Sequence, residues 1–447
     1  MNIEFCELTS EETASLAAPR RLHVGVIDEE LPFPTNSGKR IRTLNLLQRL
    51  AARHRITFFC HQSVDPSETQ AAVAHLNSLG IETIIVDRQV PTKSGAAFYG
   101  RLFANLFSPR PYSVATHDSL PLRQAVAQYA RTHEVDLWQC EWTPYAEAMR
   151  ELPGTPYLVM AHNIETQIWE RYHASEPNRL KRWYIGHQMR KFAHYERRVL
   201  AQALTTMTVS DEDARLARHR FAARHVEVVD NGVDTEFFRP GEIKRDPRKI
   251  LFLGSLDWRP NLDAVRVLLD EIFPQVLQAE PTARLQLVGR KPPPWLTRVV
   301  ENARGVEMFA DVPDVRPFLH GCGVLAVPLR IGGGSRLKIL EALATATPVV
   351  STRVGAEGLA LEADRHFVQV ERVEEMAPAL VAAVKEPASI QPLADLGRQV
   401  VLDRYDWNAL AAKLEQVWLA AASPARSSLS GPHRPRTTRP TTISRAA

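Results

Sequence analysis

The 447-residue chain has little cysteine and no long apolar run, and each shortage narrows what it can be. Its four cysteines, Cys6, Cys60, Cys140 and Cys322, are scattered without a CxxC pair. Such spacing offers neither a zinc knuckle nor a disulfide framework and favours a reducing cytosol. No stretch approaches the ~18 apolar residues of a membrane span. The opening MNIEFCELTSEETASLAAPR is acidic and has no apolar core, so residues 1–20 read as a disordered leader rather than a secretory signal. An excess of one charge is also missing. The formal net charge is +4, but Arg426, Arg434, Arg436, Arg439 and Arg445 lie in a tail without acids, leaving the rest near −1. Nothing here supports a dedicated nucleic-acid binder. Residues 422–447, rich in Ser, Thr, Pro and Arg, cannot build a core and read as a disordered basic tail, either solvated or resting on an anionic membrane surface.

What is present suffices for two cores. Hydrophobic residues make up 45% and charged residues 24% of the chain, as in ordinary globular proteins. The length favours two domains of roughly 200 residues. Short apolar strands alternate with helical segments: Leu22–Ile27, Ile56–Cys60, Thr83–Val86, Val135–Cys140, Tyr157–Ala161 and Leu204–Val209 in the first half. After turn-rich residues 231–248 the series resumes at Ile250–Gly254, Leu285–Val288, Val306–Phe309, Val324–Val327, Val349–Thr352 and Phe367–Val370, and a helix over Trp407–Ala421 closes it. Alternation of this kind implies βαβ units and parallel sheets. The expected division is therefore residues 21–230, a linker at 231–248, and a second domain at 249–421. Two such sheets leave a cleft between the carboxyl ends of their strands, where this architecture binds ligands.

The richest segment is RIGGGSRLKILEALATATPVVSTRVGAEG, from Arg330 to Gly358. A strand runs into Gly332, Gly333 and Gly334, then into a helix expected from Arg336 to Ala346. Bare backbone N–H groups at a helix N-terminus suit a phosphate. Arg336 and Lys338 place cations in the first turn, against the helix dipole, so their removal is expected to leave folding unharmed. Glu341 adds an acceptor-only carboxylate suited to paired ribose hydroxyls. By itself the loop reads equally well as a tight βα turn with solvated basic residues.

Other motifs are weaker. FPTNSGKR approaches a phosphate-binding P-loop, but Phe33 stands where its first glycine belongs and Arg40 where Ser or Thr should follow Lys39. Asp211, Glu212 and Asp213 form a DxD triplet, yet Ser210 before them makes a helix N-cap with dipole-complementing acids the better reading. Phe98–Tyr112 is aromatic and basic and Arg179–Arg198 strongly basic. Together they suit a membrane face, or ordinary packing and a solvated surface.

The ordered series SGKRIRT, VSDEDA, VDNGVDTEFF, FLGSLDWRPN, LVGR, ADVPDV and GGGSRLKILEALATATPVV resembles the family 4 glycosyltransferases of GT-B fold over about residues 21–420. It is most similar to bacterial transferases of exopolysaccharide and surface-polysaccharide assembly. The resemblance implies an α/β fold of GT-B type: two doubly wound Rossmann-like domains facing a central cleft. It also implies sugar transfer from a nucleotide-sugar donor to a saccharide or lipid-linked saccharide, usually retaining and without a metal or other cofactor. A cytoplasmic enzyme in peripheral contact with the inner membrane surface fits that setting. Glu341 matches the second glutamate of the family's E-x7-E motif, which holds the donor ribose, while Gly333 replaces the first. Arg259 falls near the family's diphosphate cations, with Arg336 and Lys338 supplying charge the region otherwise lacks. Gly38 matches the family's glycine loop facing the diphosphate, where the residues alone also place Gly333 and Gly334, and Val312 and Asp314 fall in the loop beside the base. His162 matches a histidine near the reacting carbon, although HNIE also reads as a capping turn. Glu141, Asn163 and Glu165 are acceptor candidates at the same sheet edge. Gly333 also keeps open a non-catalytic partner subunit, and an inverting transferase or nucleotide-sugar epimerase shares the fold.

Overall fold

The computed structural model describes residues 20–35, 37–87, 90–91, 94–331 and 336–423. The leader and basic tail expected at 1–20 and 422–447 lie outside these residues, apart from Arg20, Ala422 and Ser423.

The first sheet comprises β1 (His23–Ile27), β2 (Arg55–His61), β3 (Ile81–Val86), β4 (Leu137–Cys140), β5 (Tyr157–Ala161), β6 (Thr205–Thr208) and β7 (Val226–Val228). Their order is β3-β2-β1-β4-β5-β6-β7, with every pairing parallel. The second comprises β8 (Asp246–Leu253), β9 (Arg284–Gly289), β10 (Val306–Ala310), β11 (Cys322–Val327), β12 (Val349–Thr352) and β13 (Val368–Val370). Its order, β10-β9-β8-β11-β12-β13, repeats the first sheet's winding. Both are α/β doubly wound sheets, and each has a switch point where the winding reverses, at β1/β4 and β8/β11.

Burial on both faces explains why central strands such as β11 read as unbroken apolar runs. Alternate residues of β1 and β2 join separate clusters, Val24, Val26, Ile56 and Phe58 on one face and Ile27 and Phe59 on the other. Close packing dictates Gly25 in β1, since a Cβ there would stand 2.6 Å from the Trp138 ring.

The division at 249–421 needs correction. The helix Trp407–Ala421 packs chiefly on the first domain rather than the second. Trp407, Leu410, Leu414 and Trp418 join Leu22, Val24, Leu44 and Leu47 in the first domain's core. The chain therefore crosses twice, and the crossings touch: Val233 N donates to Tyr405 O at 2.8 Å, and Val233 bridges to Asp406. Arg404 ties them further, 3.1 Å from both Asp211 and Asp230. The linker is also shorter than 231–248, because β8 already begins at Asp246.

Candidate active site

A cavity of about 720 Å³ lies between the domains at the carboxyl ends of both sheets. Gly38, His162 and Asn163 line it from the first domain, and Gly254, Val312, Arg336, Lys338 and Glu341 from the second. Gly332, Gly333, Gly334 and Ser335 lie outside the described residues, so the glycine-loop expectation stands only on its flanks.

Those flanks are informative. The helix begins at Leu337, with Arg336 as its N-cap residue in the left-handed conformation at φ 54°. Arg336 thus lies just outside the helix rather than in its first turn. Its guanidinium turns back, donating to Val354 O at 2.9 Å and lying 3.3 Å from Glu357 Oε2. Glu357 also meets Arg171 of the first domain at 2.7 Å, so one carboxylate joins the loop to the opposite wall. Burial lowers the Arg336 pKa, with Glu357 opposing.

Lys338 reaches across to β8 and to the first turn of the helix Arg259–Val267. Its Nζ stands 3.0 Å from Asn261 Oδ1 and 4.7 Å from the centre of the Phe252 ring. Gly254 is required there, because a Cβ would sit 2.8 Å from both Lys338 Nζ and Asn261 Nδ2. Burial, then repulsion from Arg336, lowers the Lys338 pKa to about 7 against the pull of Glu341. Glu341, one turn on, is raised to about 7 by burial, with Lys338 opposing. A cation and a carboxylate whose charges are both poorly solvated stand side by side, suited to a partner bearing phosphate and hydroxyl groups.

Not every expected residue comes to the cavity. Arg259 is exposed at the start of its helix and lies outside the lining, where Asn261 and Arg290 stand instead. Arg290 Nε donates to Ser255 Oγ at 2.6 Å. Val312 lines the cavity beside Asp311, whereas Asp314 gives its carboxylate to Arg316 at 2.7 Å. Asn163 lines the cavity, but Glu165 accepts from Trp142 Nε1 at 2.8 Å. Glu141 is 2% exposed and stands behind His162, with Oε2 3.4 Å from His162 Nε2. Burial opposes charge on Glu141, but His162, Arg42 and Gln139 outweigh it and hold the carboxyl at about 2. Burial likewise lowers the His162 pKa against the pull of Glu141.

Sequence reasoning passed over Lys39, which also faces the cavity. Its Nζ lies 2.5 Å from Asp28 and 3.0 Å from Glu29. Burial disfavours its charge, yet these acids outweigh burial and raise the pKa. The near-P-loop spacing was the available signal.

The acidic triplet is a helix cap. Ser210 Oγ accepts from Asp213 N at 3.1 Å and donates to Asp213 Oδ2 at 2.8 Å, while Asp211 pairs with Arg404. Among the described residues no group of three or more His, Cys, Asp or Glu is placed to hold a metal. No described helix is long and apolar enough to cross a membrane.

Comparison with known proteins bears on this geometry. Residues 37–237 match glycosyltransferase family 4, and residues 247–386 match the glycosyl transferases group 1. A glycogen synthase of Mycobacterium tuberculosis is 25% identical over 63% of this chain and 70% of its own length. Sucrose-phosphate synthase from Thermosynechococcus elongatus superposes with a TM-score of 0.66 at 19% identity, covering 90% of this chain and 100% of that one. Anabaena HepE in complex with UDP and glucose gives 0.60 at 14% identity, over 90% of this chain and 100% of its own.

Proposed function

We propose that this chain, a family 4 glycosyltransferase of GT-B fold, moves a sugar from a nucleotide-sugar donor to a hydroxyl of a saccharide or lipid-linked saccharide in cell-surface polysaccharide or glycolipid synthesis. The observation that carries the reading is one cavity with Lys338 and Glu341 on one wall and His162 on the other. The second domain holds the nucleotide, with Glu341 on the ribose and Lys338 and Arg336 at the diphosphate. HepE binds UDP, which makes uridine diphosphate the first leaving group to test.

In the transfer, the bond from the anomeric carbon to the donor phosphate breaks as a bond to the acceptor oxygen forms. Negative charge grows on the departing diphosphate, where a preorganised cation contributes a few kcal/mol to barrier lowering. The acceptor proton passes to the leaving phosphate oxygen on the face it vacates, so configuration is retained and no separate carboxylate base is needed. The phosphates are met by side-chain cations, and the reaction proceeds without a metal or other cofactor.

Two surface features support an enzyme that rests on a membrane surface. Tyr99 and Phe103, on the helix Gly95–Leu106, and Phe107 beyond it are 65–80% exposed. Leu180 and Trp183, on the helix Arg179–Gln202, are exposed among Arg179, Lys181 and Arg182. His187 of that helix bonds Leu106 O at 3.2 Å, so the two sets adjoin. Aromatic and basic groups together favour an anionic interface.

The test is transfer from a panel of UDP-, GDP- and dTDP-sugars to saccharide acceptors, with and without EDTA, following the anomeric proton by NMR. Retained configuration and EDTA-resistant rates are expected. An inverted product, or activity lost in EDTA and restored by Mn²⁺, would overturn the mechanism. Binding without transfer would favour a non-catalytic partner.

A further inference from the structure

A buried chain of polar side chains runs from the C-terminal helix to the cavity. Trp418, wholly buried, donates its indole N–H to Gln139 Oε1 at 2.6 Å. Gln139, 1% exposed in β4, donates its amide N–H to Glu141 Oε1. Glu141 Oε2 accepts from Thr43 Oγ1 at 3.4 Å and faces His162 Nε2 at the same distance. An indole nitrogen is donor only, so it fixes which way the Gln139 amide points. That orientation presents a donor to Glu141, whose ionised carboxylate can only accept. His162 Nε2 is buried and makes no other hydrogen bond among the described residues, so the carboxylate oxygen it faces at 3.4 Å favours a hydrogen on that nitrogen.

We propose that Trp418, Gln139 and Glu141 are positioning residues that hold His162 as its Nε2–H tautomer, leaving Nδ1 as an acceptor for a sugar hydroxyl in the cleft. The histidine's tautomer is set by the bond its other nitrogen makes. Only the catalytic consequence rests on the glycosyl-transfer reading; the tautomer itself belongs to the ligand-free protein. The helix that crosses back onto the first domain thus does more than fill a core. It supplies the donor that gives the chain its direction.

The direction makes a sharp test. In Glu141→Gln the oxygen must still accept from Gln139, so the new NH₂ group faces His162. That reversal forces hydrogen onto Nδ1 and removes the acceptor from the cleft. Adding Trp418→Phe frees Gln139 to flip, which lets the residue-141 amide flip too and restores Nε2–H. The experiment is ¹⁵N NMR of histidine-labelled full-length protein, with the His162 signals identified by their loss in His162→Gln. The expected results are Nε2–H in the wild type, Nδ1–H in Glu141→Gln, and Nε2–H regained in the double variant. Transfer should fall on the order of a hundredfold or more in Glu141→Gln and partly recover in the double variant. Nδ1–H in the wild type, or Nε2–H persisting in Glu141→Gln, would overturn the proposal. A wild-type Nε2–H signal in a protein that transfers no sugar would uphold the chain while sinking the functional reading.

Discussion

Replacing Lys338 with methionine should make the ligand-free protein more stable while disabling it. The ammonium is partly buried beside Phe252, with Asn261 Oδ1 at 3.0 Å, and desolvation holds its pKa at about 7 rather than 10.5. At neutral pH that depression sets roughly 4 kcal/mol against the folded state. Methionine keeps the linear chain against the ring but removes the bond to Asn261, which costs about 1–3 kcal/mol. Asn261 keeps its Nδ2–H bond to Ser255 O at 2.8 Å, so its orientation survives while Oδ1 loses its partner. The net expectation is a gain of about 1–3 kcal/mol, or a rise of roughly 5 °C in the second domain's transition. Because the folded pKa lies below the unfolded one, the penalty is full below pH about 7 and fades as pH climbs to 10.5. The gain should fade over the same window. Against this, a cation 4 Å from a phosphate charge contributes up to about 4 kcal/mol at an effective dielectric of 20. Calorimetric melting beside initial rates on one preparation reads both effects. A less stable variant that still transfers sugar would show Lys338 to be structural and refute the reasoning.

Glu341→Gln keeps shape but loses charge-assisted bonds to ribose, so donor affinity should weaken by roughly 1.5–3 kcal/mol in calorimetry; unchanged affinity would move the ribose elsewhere. Donor binding should trace a bell against pH. Affinity falls on the alkaline side as Lys338 loses its proton above about 7 and on the acid side as Glu341 gains one below about 7. The two titrate as a pair, so the apparent values belong to both; Glu341→Gln should abolish the acid limb, and a limb that persists would belong to another group. Arg336→Ala should destabilise by about 1–3 kcal/mol in urea unfolding, because it removes buried bonds to Val354 and Glu357. A melt as stable as the parent's would instead favour the free, dipole-opposing arginine expected from the sequence.

Most of the sheet architecture was legible because the central strands are buried on both faces and leave unbroken apolar runs. Tyr157–Ala161 and Val349–Thr352 fall where the sequence places them. The three-residue β7 was missed, having one exposed glutamate, Glu227, between two valines. The helix Trp407–Ala421 was recognised but given to the wrong domain. Its apolar stripe reports that a face is buried, not against which core. The same limit governs the site. Glu341 and His162 announce themselves by their place after glycines or at a strand end. The reach of Arg336 to Glu357, or of Lys338 to Asn261 across 77 residues, is set by tertiary contact. Glu141 was legible as a cleft-edge carboxylate, but its turn inward toward Gln139 and His162 was not.

The central claim is that Lys338 and Glu341 hold the diphosphate and ribose of a sugar donor in this cavity. Titrating UDP, GDP and dTDP by calorimetry into the wild type, Lys338→Met and Glu341→Gln tests it most directly, with uridine, guanosine and thymidine as phosphate-free controls. At saturation near 100 times its dissociation constant, the preferred nucleotide should also add about 2.7 kcal/mol of stability to the wild type. The account predicts that at least one diphosphate binds, that its nucleoside binds far more weakly, and that each variant loses tenfold or more, about 1.4 kcal/mol. Binding of no diphosphate, or equal binding by wild type and both variants, would contradict it.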